Sequence, residues 1–455
     1  MKAHSILAAF AAVTIVGSAH AAGPDVTLLN ITSTSNYGVV GDIRAYALGS
    51  STCNIGNQNL IWASSGTPGF AMNMYRMENG RLEQIGLSFV KTACCAAAGS
   101  GCGLACNGQG GSVLGSGCLD VYSSSWNGGQ SRLAPRSSIN SWSGAFGPFS
   151  GAGGSVIFKR LQVLQSDLVT GGSPNVLFFV EGVYVGSDDA QNGNRNNNAS
   201  YRRTTVDQGS FNLGLQGSMF YQVPAIFAWR DHGGGVGVAD PAVNIQTIDI
   251  PGEGRLFIGS KVSDNGDGSW HYEYAIYNLS SDRAVGSFEI PMGGGVTAAN
   301  VGFNAPFYHS GEPYDNSLWP NVQNTALSWS TPETFSQNPN SGAIRWGTMA
   351  NFWFDSNSPP TEGNATIGLF KPHTTQNITV NVDIPANTCP GDATGDGLVD
   401  GVDIGAVLAN WSIPVGAPGC GGAADCPADV DGSGIVDGLD LGIVLAHWNE
   451  ICLVK

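Results

Sequence analysis

The sequence has 455 residues, a net charge of −16 and only 12% charged residues. This acidity excludes the extended basic surface with which proteins bind nucleic acids or anionic membranes. The part from residue 22 to residue 387 is long enough for one large β domain or for two ordinary ones.

The first 21 residues have the features of a secretory signal peptide. Lys2 supplies a positive charge, an apolar stretch runs from Ile6 to Val16, and cleavage is expected before Ala22. The stretch is too short for a membrane anchor, and no later apolar run approaches the length of a transmembrane helix. We therefore expect a secreted bacterial protein, extracellular or at the cell surface, without a transmembrane segment.

Ten cysteines fall into two groups of even number, which favours disulfides formed in an oxidising compartment. The first group is Cys53, Cys94, Cys95, Cys102, Cys106 and Cys118; the second is Cys389, Cys420, Cys426 and Cys452. The sequence does not determine the pairing. Zinc binding by the segment CCAAAGSGCGLAC is an alternative, but its adjacent cysteines lack the usual C-x-x-C spacing.

Residues 22–387 are poor in charge and rich in Gly, Asn, Ser and Thr, which favours short strands over helices. We divide them into a Cys-rich, Gly-rich β region, 22–165, and a β-sandwich-like region, 166–387. Turn clusters separate strand patterns as in an antiparallel sandwich. These patterns are NVLFFVEGVYVG, RLFIGSKVS, SWHYEYAIYNL, AVGSFEIPM, NATIGLF and NITVNVDI. The segment SDNGDG, at 263–268, predicts a hairpin turn rather than a calcium loop.

No nucleophile elbow, phosphate loop or zinc-protease helix motif occurs. The segment YHSGEPYDNSLWP offers candidate catalytic residues His309, Glu312 and Asp315, and candidate carbohydrate-binding rings Tyr314 and Trp319. Two carboxylates beside aromatic rings are typical of glycoside hydrolases. The plainer interpretation is a polar loop at a sandwich edge. Likewise, WRDHGGG offers Asp231 and His232 as an oriented base or as an ordinary surface turn.

The end of the chain contains a repeat. GDATGDGLVDGVDIGAVLANW begins at Gly391, and ADVDGSGIVDGLDLGIVLAHW begins 37 residues later, with 12 of 21 positions identical. Residues 388–455 contain nine Asp, one Glu and one Lys, so this tail carries −9 of the total charge of −16. The acidity is therefore concentrated in the repeat.

Each copy fits a 12-position loop around a calcium ion, with oxygen ligands at positions 1, 3, 5, 7, 9 and 12 and Gly at position 6. The first ligand set is Asp392, Thr394, Asp396, the Leu398 carbonyl, Asp400 and Asp403. The second is Asp429, Asp431, Ser433, the Ile435 carbonyl, Asp437 and Asp440. Apolar residues at helical spacing follow each loop: Ile404, Val407, Leu408 and Trp411, then Leu441, Val444, Leu445 and Trp448.

This arrangement of two loop-helix, EF-hand-like units resembles the dockerin domain, most closely a type I-like dockerin, over residues 388–455. The resemblance implies a small α-helical domain, calcium-dependent folding by two Ca2+ ions, and capture by a cohesin-like domain on a scaffold or cell surface. Positions 10 and 11, often Ser and Thr in the family, are here Gly401-Val402 and Gly438-Leu439. The antiparallel helices of the family imply disulfides Cys389–Cys452 and Cys420–Cys426, with one bond within each repeat as the alternative.

Three functions fit these features. The first is a docked, non-catalytic protein whose β-rich body binds carbohydrate. The second is a glycoside hydrolase of polysaccharide catabolism, because many dockerin carriers degrade polysaccharides. The third is a structural cell-surface protein, which the Gly/Asn/Ser-rich body and the missing catalytic motifs favour.

Overall fold

The chain forms mainly antiparallel β-sheets. A computed structural model describes residues 21–63, 66–149, 153–292, 296–324, 326–386, 390–394, 396–413, 426, 428–431, 433 and 435–451. Most of the predicted signal peptide lies outside these ranges. Within them, no helix is long and apolar enough to cross a membrane.

The first fifteen strands lie between residues 26 and 220. They are β1 (Val26–Val40), β2 (Ile43–Asn54), β3 (Leu60–Ile61), β4 (Gly69–Glu78), β5 (Arg81–Leu87), β6 (Val90–Thr92), β7 (Val113–Leu114), β8 (Leu119–Tyr122), β9 (Leu133–Ala134), β10 (Ile139–Asn140), β11 (Ala145–Phe146), β12 (Leu161–Leu164), β13 (Leu177–Val185), β14 (Ala199–Val206) and β15 (Leu213–Phe220).

Ten further strands lie between residues 244 and 385. They are β16 (Asn244–Ile250), β17 (Gly254–Asp264), β18 (Trp270–Asn278), β19 (Val285–Pro291), β20 (Ala298–Asn304), β21 (Asn321–Gln323), β22 (Ala326–Ser330), β23 (Thr348–Ser356), β24 (Pro360–Leu369) and β25 (Asn377–Pro385). The α-helices are α1 (Ser124–Asn127), α2 (Ser187–Gln191), α3 (Phe227–His232), α4 (Gly401–Ala409) and α5 (Gly438–Ala446), and four short 3-10 helices lie between residues 130 and 197.

Eleven strands form one large sheet in the order β1-β2-β12-β5-β4-β13-β14-β15, with β6, β8 and β9 at its margins. The sheet curls until β1 reaches β14: Ser200 Oγ donates to the Leu28 carbonyl oxygen at 2.9 Å, and Arg202 Nη1 donates to that of Ile31 at 2.9 Å. The curl encloses a core that includes Tyr46, Phe70 and Met72. Because this sheet contains strands from both sides of residue 165, the predicted division of the body falls inside it.

Two five-stranded sheets pack face to face beyond the large sheet. Their strand orders are β16-β17-β18-β23-β20 and β21-β22-β19-β24-β25. Between them lies an aromatic core in which Phe288 approaches Tyr274 at 5.4 Å and Phe352 at 5.0 Å between ring centroids. The six quoted strand patterns correspond to β13, β17, β18, β19, β24 and β25, which confirms those predictions. The predicted hairpin at 263–268 is also confirmed, since Asp264 pairs with Trp270 across it.

The large sheet and the sheet of β16, β17, β18, β23 and β20 meet at an interface that we call the seam. Its apolar part includes Tyr75 and Phe179 on one side and Phe257 and Tyr277 on the other. Hydrogen bonds cross it as well: Asn351 Nδ2 donates to the Leu82 carbonyl oxygen at 2.9 Å. The three sheets therefore form a continuous stack, with one sheet packed on both faces.

Candidate metal centre

The first acidic loop folds around its own carboxylates. Asp392 accepts hydrogen bonds from the main-chain N–H groups of Asp396, at 3.2 Å, and Gly397, at 3.1 Å. The sharp turn at position 6 requires a positive φ, which is +91° at Gly397 and which glycine adopts without steric cost. The chain thereby reverses around the Asp392 carboxylate, as a calcium loop requires.

Asp403, at position 12, closes the first loop. Its side chain is fully buried and accepts from the Thr394 N–H and hydroxyl, both at 2.9 Å, and from the Asp400 N–H at 2.8 Å. Asp400 caps α4 by accepting from the Val402 N–H at 2.7 Å, so the two aspartates form a capping box. The helix N-terminus thus holds the position-12 carboxylate against the start of the loop.

The second loop repeats this geometry. The buried Asp440 accepts from the Asp431 N–H at 3.1 Å and the Asp437 N–H at 2.7 Å, in the second capping box. Ser433 donates its hydroxyl to the Ile435 carbonyl oxygen at 3.1 Å, so this position-7 carbonyl faces the position-5 side chain. Its predicted turn residue, Gly434, lies outside the described residues.

The donor set fits a hard divalent cation. In each loop, carboxylate oxygens from three aspartates lie within 4.8 Å of one another: Asp392, Asp396 and Asp403, then Asp429, Asp431 and Asp440. Two oxygens bound to one calcium ion at about 2.4 Å lie no more than about 4.8 Å apart, so the spacing is compatible with shared ligation. A fully buried carboxylate beside two others is costly without a cation. Two further candidate ligands of the first loop are Thr394, whose side chain is exposed, and Asp400, which is half-buried.

The two repeats support each other across a pseudo-twofold axis. Main-chain N–H groups after each helix donate to the position-8 carbonyl oxygen of the other loop: Ser412 to Val436 at 2.7 Å, and Asn449 to Val399 at 2.8 Å. Both donors have a positive φ, +62° and +65°. A shared core of Val399, Val407, Val436 and Val444 lies between the helices, and all four are fully buried. Each loop is therefore completed by the opposite repeat.

The predicted apolar faces are only partly buried. Val407 and Val444 lie in the core, with Ile404 and Leu441 packed against it. Leu408 and Leu445 are more than half exposed, and Trp411 and Trp448, at 41% and 43% exposure, follow the ends of α4 and α5. Each helix has only nine residues, so the tryptophan that ends each predicted apolar face lies beyond the helix. The outer side of the tail thus presents apolar side chains.

Of the four tail cysteines, the structure describes Cys426, which is disulfide-bonded. The predicted bonds Cys389–Cys452 and Cys420–Cys426 both involve residues outside the described ranges. In the body, Cys53 bonds to Cys102 and Cys106 bonds to Cys118. These bonds occupy Cys102 and Cys106, two of the four thiols on which the zinc alternative depends.

The candidate catalytic residues of the body do not converge. Glu312 is buried, and its carboxylate accepts from the main-chain N–H groups of Arg136 and Ser137, the second at 3.2 Å. Burial raises the pKa of Glu312. Asp315 instead accepts from the Ser317 N–H and hydroxyl, both at 2.8 Å, within its own turn. Both carboxylates therefore order loops, in agreement with the plainer interpretation of this segment.

The remaining residues of that segment are also tied into the structure. Trp319 is buried, stacks on Phe303 at 5.0 Å between ring centroids, and donates its indole N–H to the Gly342 carbonyl oxygen. It is thus a core residue without an exposed ring face for a sugar. Tyr314 is half-buried, with the Arg345 guanidinium 4.2 Å from its ring centroid. Burial lowers the pKa of the half-buried His309.

Asp231 and His232 do not form an oriented base. Asp231 contacts Arg230 at 2.9 Å and accepts from the Tyr201 hydroxyl at 3.2 Å. His232 is buried and accepts from the Gly237 N–H at its Nδ1. The two side chains thus have separate partners.

A charged cleft of about 350 Å3, which the sequence analysis did not predict, lies beside the seam. Arg81 binds Glu273 at 2.6 Å and Glu83 at 3.5 Å, while its guanidinium lies 3.6 Å from the centroid of the Trp353 ring. His271 lies 3.4 Å from Glu273, which is the main reason that its pKa is raised. Since β5 and β18 are almost 200 residues apart in the sequence, no local motif could reveal this cluster.

Glu83 lies between this cleft and a neighbouring one of about 400 Å3, which Trp353 and His309 also line. Burial raises the pKa of Glu83, whereas Glu273 is paired with Arg81. We call the two spaces together the seam cleft. It combines carboxylates, a guanidinium, an imidazole and an indole, a set able to exchange hydrogen bonds with a polyhydroxylated ligand.

No protein-family model matches this sequence, and no curated protein matches it. Among solved structures, the exo-chitosanase CsxA of Amycolatopsis orientalis aligns over 73% of this chain and 25% of its own, with 8% identity and a TM-score of 0.15. The B domain of a biofilm associated protein aligns over 82% of this chain and 89% of its own, with 6% identity and a TM-score of 0.16. The protein therefore spans a quarter of the chitosanase chain, and TM-scores this low support no assignment of fold or function.

Proposed function

We propose that residues 388–455 form a dockerin-type module that binds two Ca2+ ions and attaches the protein to a cohesin-like partner. The observation that carries this proposal is the pair of converging carboxylate sets, each closed by a buried position-12 aspartate and each completed by the opposite repeat. An acidic linker would have no reason to bury Asp403 and Asp440 in equivalent capping boxes.

The docking surface of this module includes positions 10 and 11 at the start of each helix. Val402 and Leu439, at position 11, are 57% and 67% exposed. Leu408 and Leu445 lie six residues further along the same helices and are also exposed. In place of the hydroxyls often found in the family, this protein offers an apolar surface, so its partner should carry a complementary apolar patch.

The test is capture of the full chain by a panel of immobilised cohesin domains, with calcium and with excess EDTA. Calcium-dependent capture by at least one domain supports the proposal. Two bound calcium ions without capture by any cohesin would leave a calcium module and remove the cohesin part. Failure to bind calcium would contradict both the calcium-binding and the cohesin-binding parts of the proposal.

For the body, we propose carbohydrate binding in the seam cleft. The support is the concentration of charged side chains there, in a body that is otherwise poor in charge. The Glu312 and Asp315 carboxylates are occupied by loop contacts, which weakens the alternative of a glycoside hydrolase acting through them. The body disulfides fit the proposed secretion to the extracellular space or the cell surface.

This second proposal is tested with soluble and insoluble polysaccharides, by measuring bound protein and released reducing ends together. Binding without release is expected, and Glu83→Gln should weaken it about tenfold, since a hydrogen bond to a charged group contributes about 1.5–3 kcal/mol. The matched control is Glu289→Gln, because Glu289 is exposed on β19, away from the cleft. Sugar release would favour the hydrolase. The absence of both binding and sugar release would favour a structural surface protein.

A further inference from the structure

Two adjacent cysteines remain outside the body disulfides. Cys94 and Cys95 have free thiols, and their Sγ atoms lie 3.0 Å apart. That separation exceeds a disulfide bond by only about 1 Å. The other four body cysteines are paired as Cys53–Cys102 and Cys106–Cys118, so each of these two thiols has the other as its nearest available partner.

The main chain holds this dipeptide at both ends. The Ala93 N–H donates to the Pro68 carbonyl oxygen at 3.0 Å, and Ala96 exchanges two hydrogen bonds of 2.9 Å with Gly111. The Tyr122 hydroxyl also donates to the Cys95 carbonyl oxygen at 3.2 Å. The two thiols are therefore kept together by the surrounding fold, and side-chain rotation is sufficient to change their separation.

The pair is also more accessible than the two disulfides, in each of which one cysteine is fully buried and the other half-buried. Cys95 is exposed and Cys94 is half-buried, whereas Cys53 and Cys118 are fully buried. A small disulfide reagent can therefore reach Cys95 first. The hydrogen bond with Cys94 is the main reason that the pKa of the Cys95 thiol is raised, so a mildly alkaline pH supplies the thiolate that attacks.

We propose that Cys94 and Cys95 form a vicinal disulfide, as a reversible oxidation site on the surface of the body. A thiolate of the pair attacks a low-molecular-weight disulfide, forms a mixed disulfide with it and releases one thiol. The neighbouring thiolate then attacks the protein sulfur of that mixed disulfide and releases the second thiol. The two cysteines lose two protons and two electrons, and the small disulfide takes them up as two thiols.

The resulting bond should be reduced before the other two. Adjacent Cα atoms are about 3.8 Å apart across a trans peptide, which is below the range of about 4.4–6.8 Å for ordinary disulfides. The Cα atoms of Cys53 and Cys102 are 5.7 Å apart and those of Cys106 and Cys118 are 4.4 Å apart, both within that range. Together with exposure, this constraint makes the Cys94–Cys95 bond the most labile of the three.

The experiment uses the full chain in its native state, incubated with oxidised glutathione and then treated with an alkylating reagent that is afterwards removed. A brief mild reduction of the native protein is followed by a second alkylating reagent of different mass. The tryptic peptide from residue 92 to residue 132 carries five of the six body cysteines, so fragment masses must locate the labels. The proposal predicts no label from the first reagent at Cys94 or Cys95 and a label on both from the second.

Three results would overturn it. These are two thiols that still react with the first reagent, a persistent glutathione adduct on either cysteine, and a covalent dimer on a non-reducing gel. The control is Cys94→Ser, which leaves Cys95 without its neighbour and should accumulate one glutathione adduct per chain. If the wild-type chain also accumulates this adduct, Cys94 and Cys95 do not form a disulfide with each other.

Discussion

The main-chain N–H of Ser412 donates a 2.7 Å hydrogen bond to the carbonyl oxygen of Val436, which belongs to the other repeat. Asn449 makes the equivalent bond in the opposite direction, to Val399. Since Val399 and Val436 are position 8 of the two loops, the end of each helix supports the loop of the other. This reciprocity explains physically why the unit occurs twice: one loop and one short helix leave a loop unsupported and an apolar face uncovered.

We therefore expect the two loops to bind calcium cooperatively. Asp403→Asn removes one carboxylate charge from the first loop and should lower its calcium affinity at least about tenfold. It should also weaken the second loop by a smaller factor, because the shared core of Val399, Val407, Val436 and Val444 is then less ordered. Calorimetric titration measures both steps. An unchanged second step would show that the repeats bind independently.

The pseudo-twofold arrangement predicts two equivalent docking faces. Val402→Asp should abolish docking through the face around α4 and leave docking through the face around α5 intact. Leu439→Asp should have the opposite effect. Each single variant should retain capture by a cohesin domain with an affinity within a few-fold of wild type, while the double variant should lose it. Calcium binding should persist in all three, because position 11 supplies no ligand. Loss of capture in only one of the single variants would instead show that a single face docks.

The body should lose stability as the pH rises, partly because of Asp189. This side chain is fully buried, and burial raises its pKa to about 8, against hydrogen bonds from Asn198 and the Val26 N–H. A carboxyl with a raised folded-state pKa is more protonated in the folded than in the unfolded chain. Its contribution, on the order of a few kcal/mol, is therefore fully present below about pH 4 and is lost progressively as the pH rises to about 8.

Asp189→Asn keeps an oxygen for the Val26 N–H and removes the titration. The free energy of unfolding, measured by denaturant titration at constant free calcium, should then fall less steeply between pH 5 and pH 8. Other buried carboxyls contribute to the pH dependence of both proteins. The quantity compared is therefore the difference between the two slopes of the free energy of unfolding against pH. Parallel slopes would show that Asp189 is not protonated in the folded chain.

Glu181 joins the two sides of the seam. It is fully buried on β13 and accepts from Tyr75 at 2.7 Å, Asn73 at 2.8 Å and the Ala225 N–H at 2.7 Å. It also accepts from Tyr277, on β18, at 3.2 Å. Glu181→Ala leaves these buried donors without an acceptor and should lower the free energy of unfolding by about 3 kcal/mol or more. The exposed Glu289→Gln should change it by less than about 0.5 kcal/mol, and equal effects would contradict the role of Glu181.

Local patterns in the sequence were sufficient for the strands β13, β17, β18, β19, β24 and β25, because alternation and turn residues act over a few positions. They were also sufficient to group Asp392, Asp396 and Asp403, whose convergence depends on one turn at Gly397. They could not indicate that β12 joins β2 and β5 in one sheet, since that pairing depends on distant chain segments. For the same reason the Arg81–Glu273 pair was missed, and Trp319 was offered as a surface ring although it is a core residue.

The proposed function depends on folding of the tail around two calcium ions. Its most direct test is calorimetric titration of the calcium-depleted full chain with Ca2+, with the fluorescence of Trp411 and Trp448 followed against an Asp403→Asn/Asp440→Asn double variant. We predict two ions bound per chain, a tail stabilised by about 2.7 kcal/mol for each site at which free calcium is 100 times its Kd, and loss of both effects in the double variant. A wild-type chain that binds no calcium, or a double variant that binds two ions as tightly as wild type, would contradict the account.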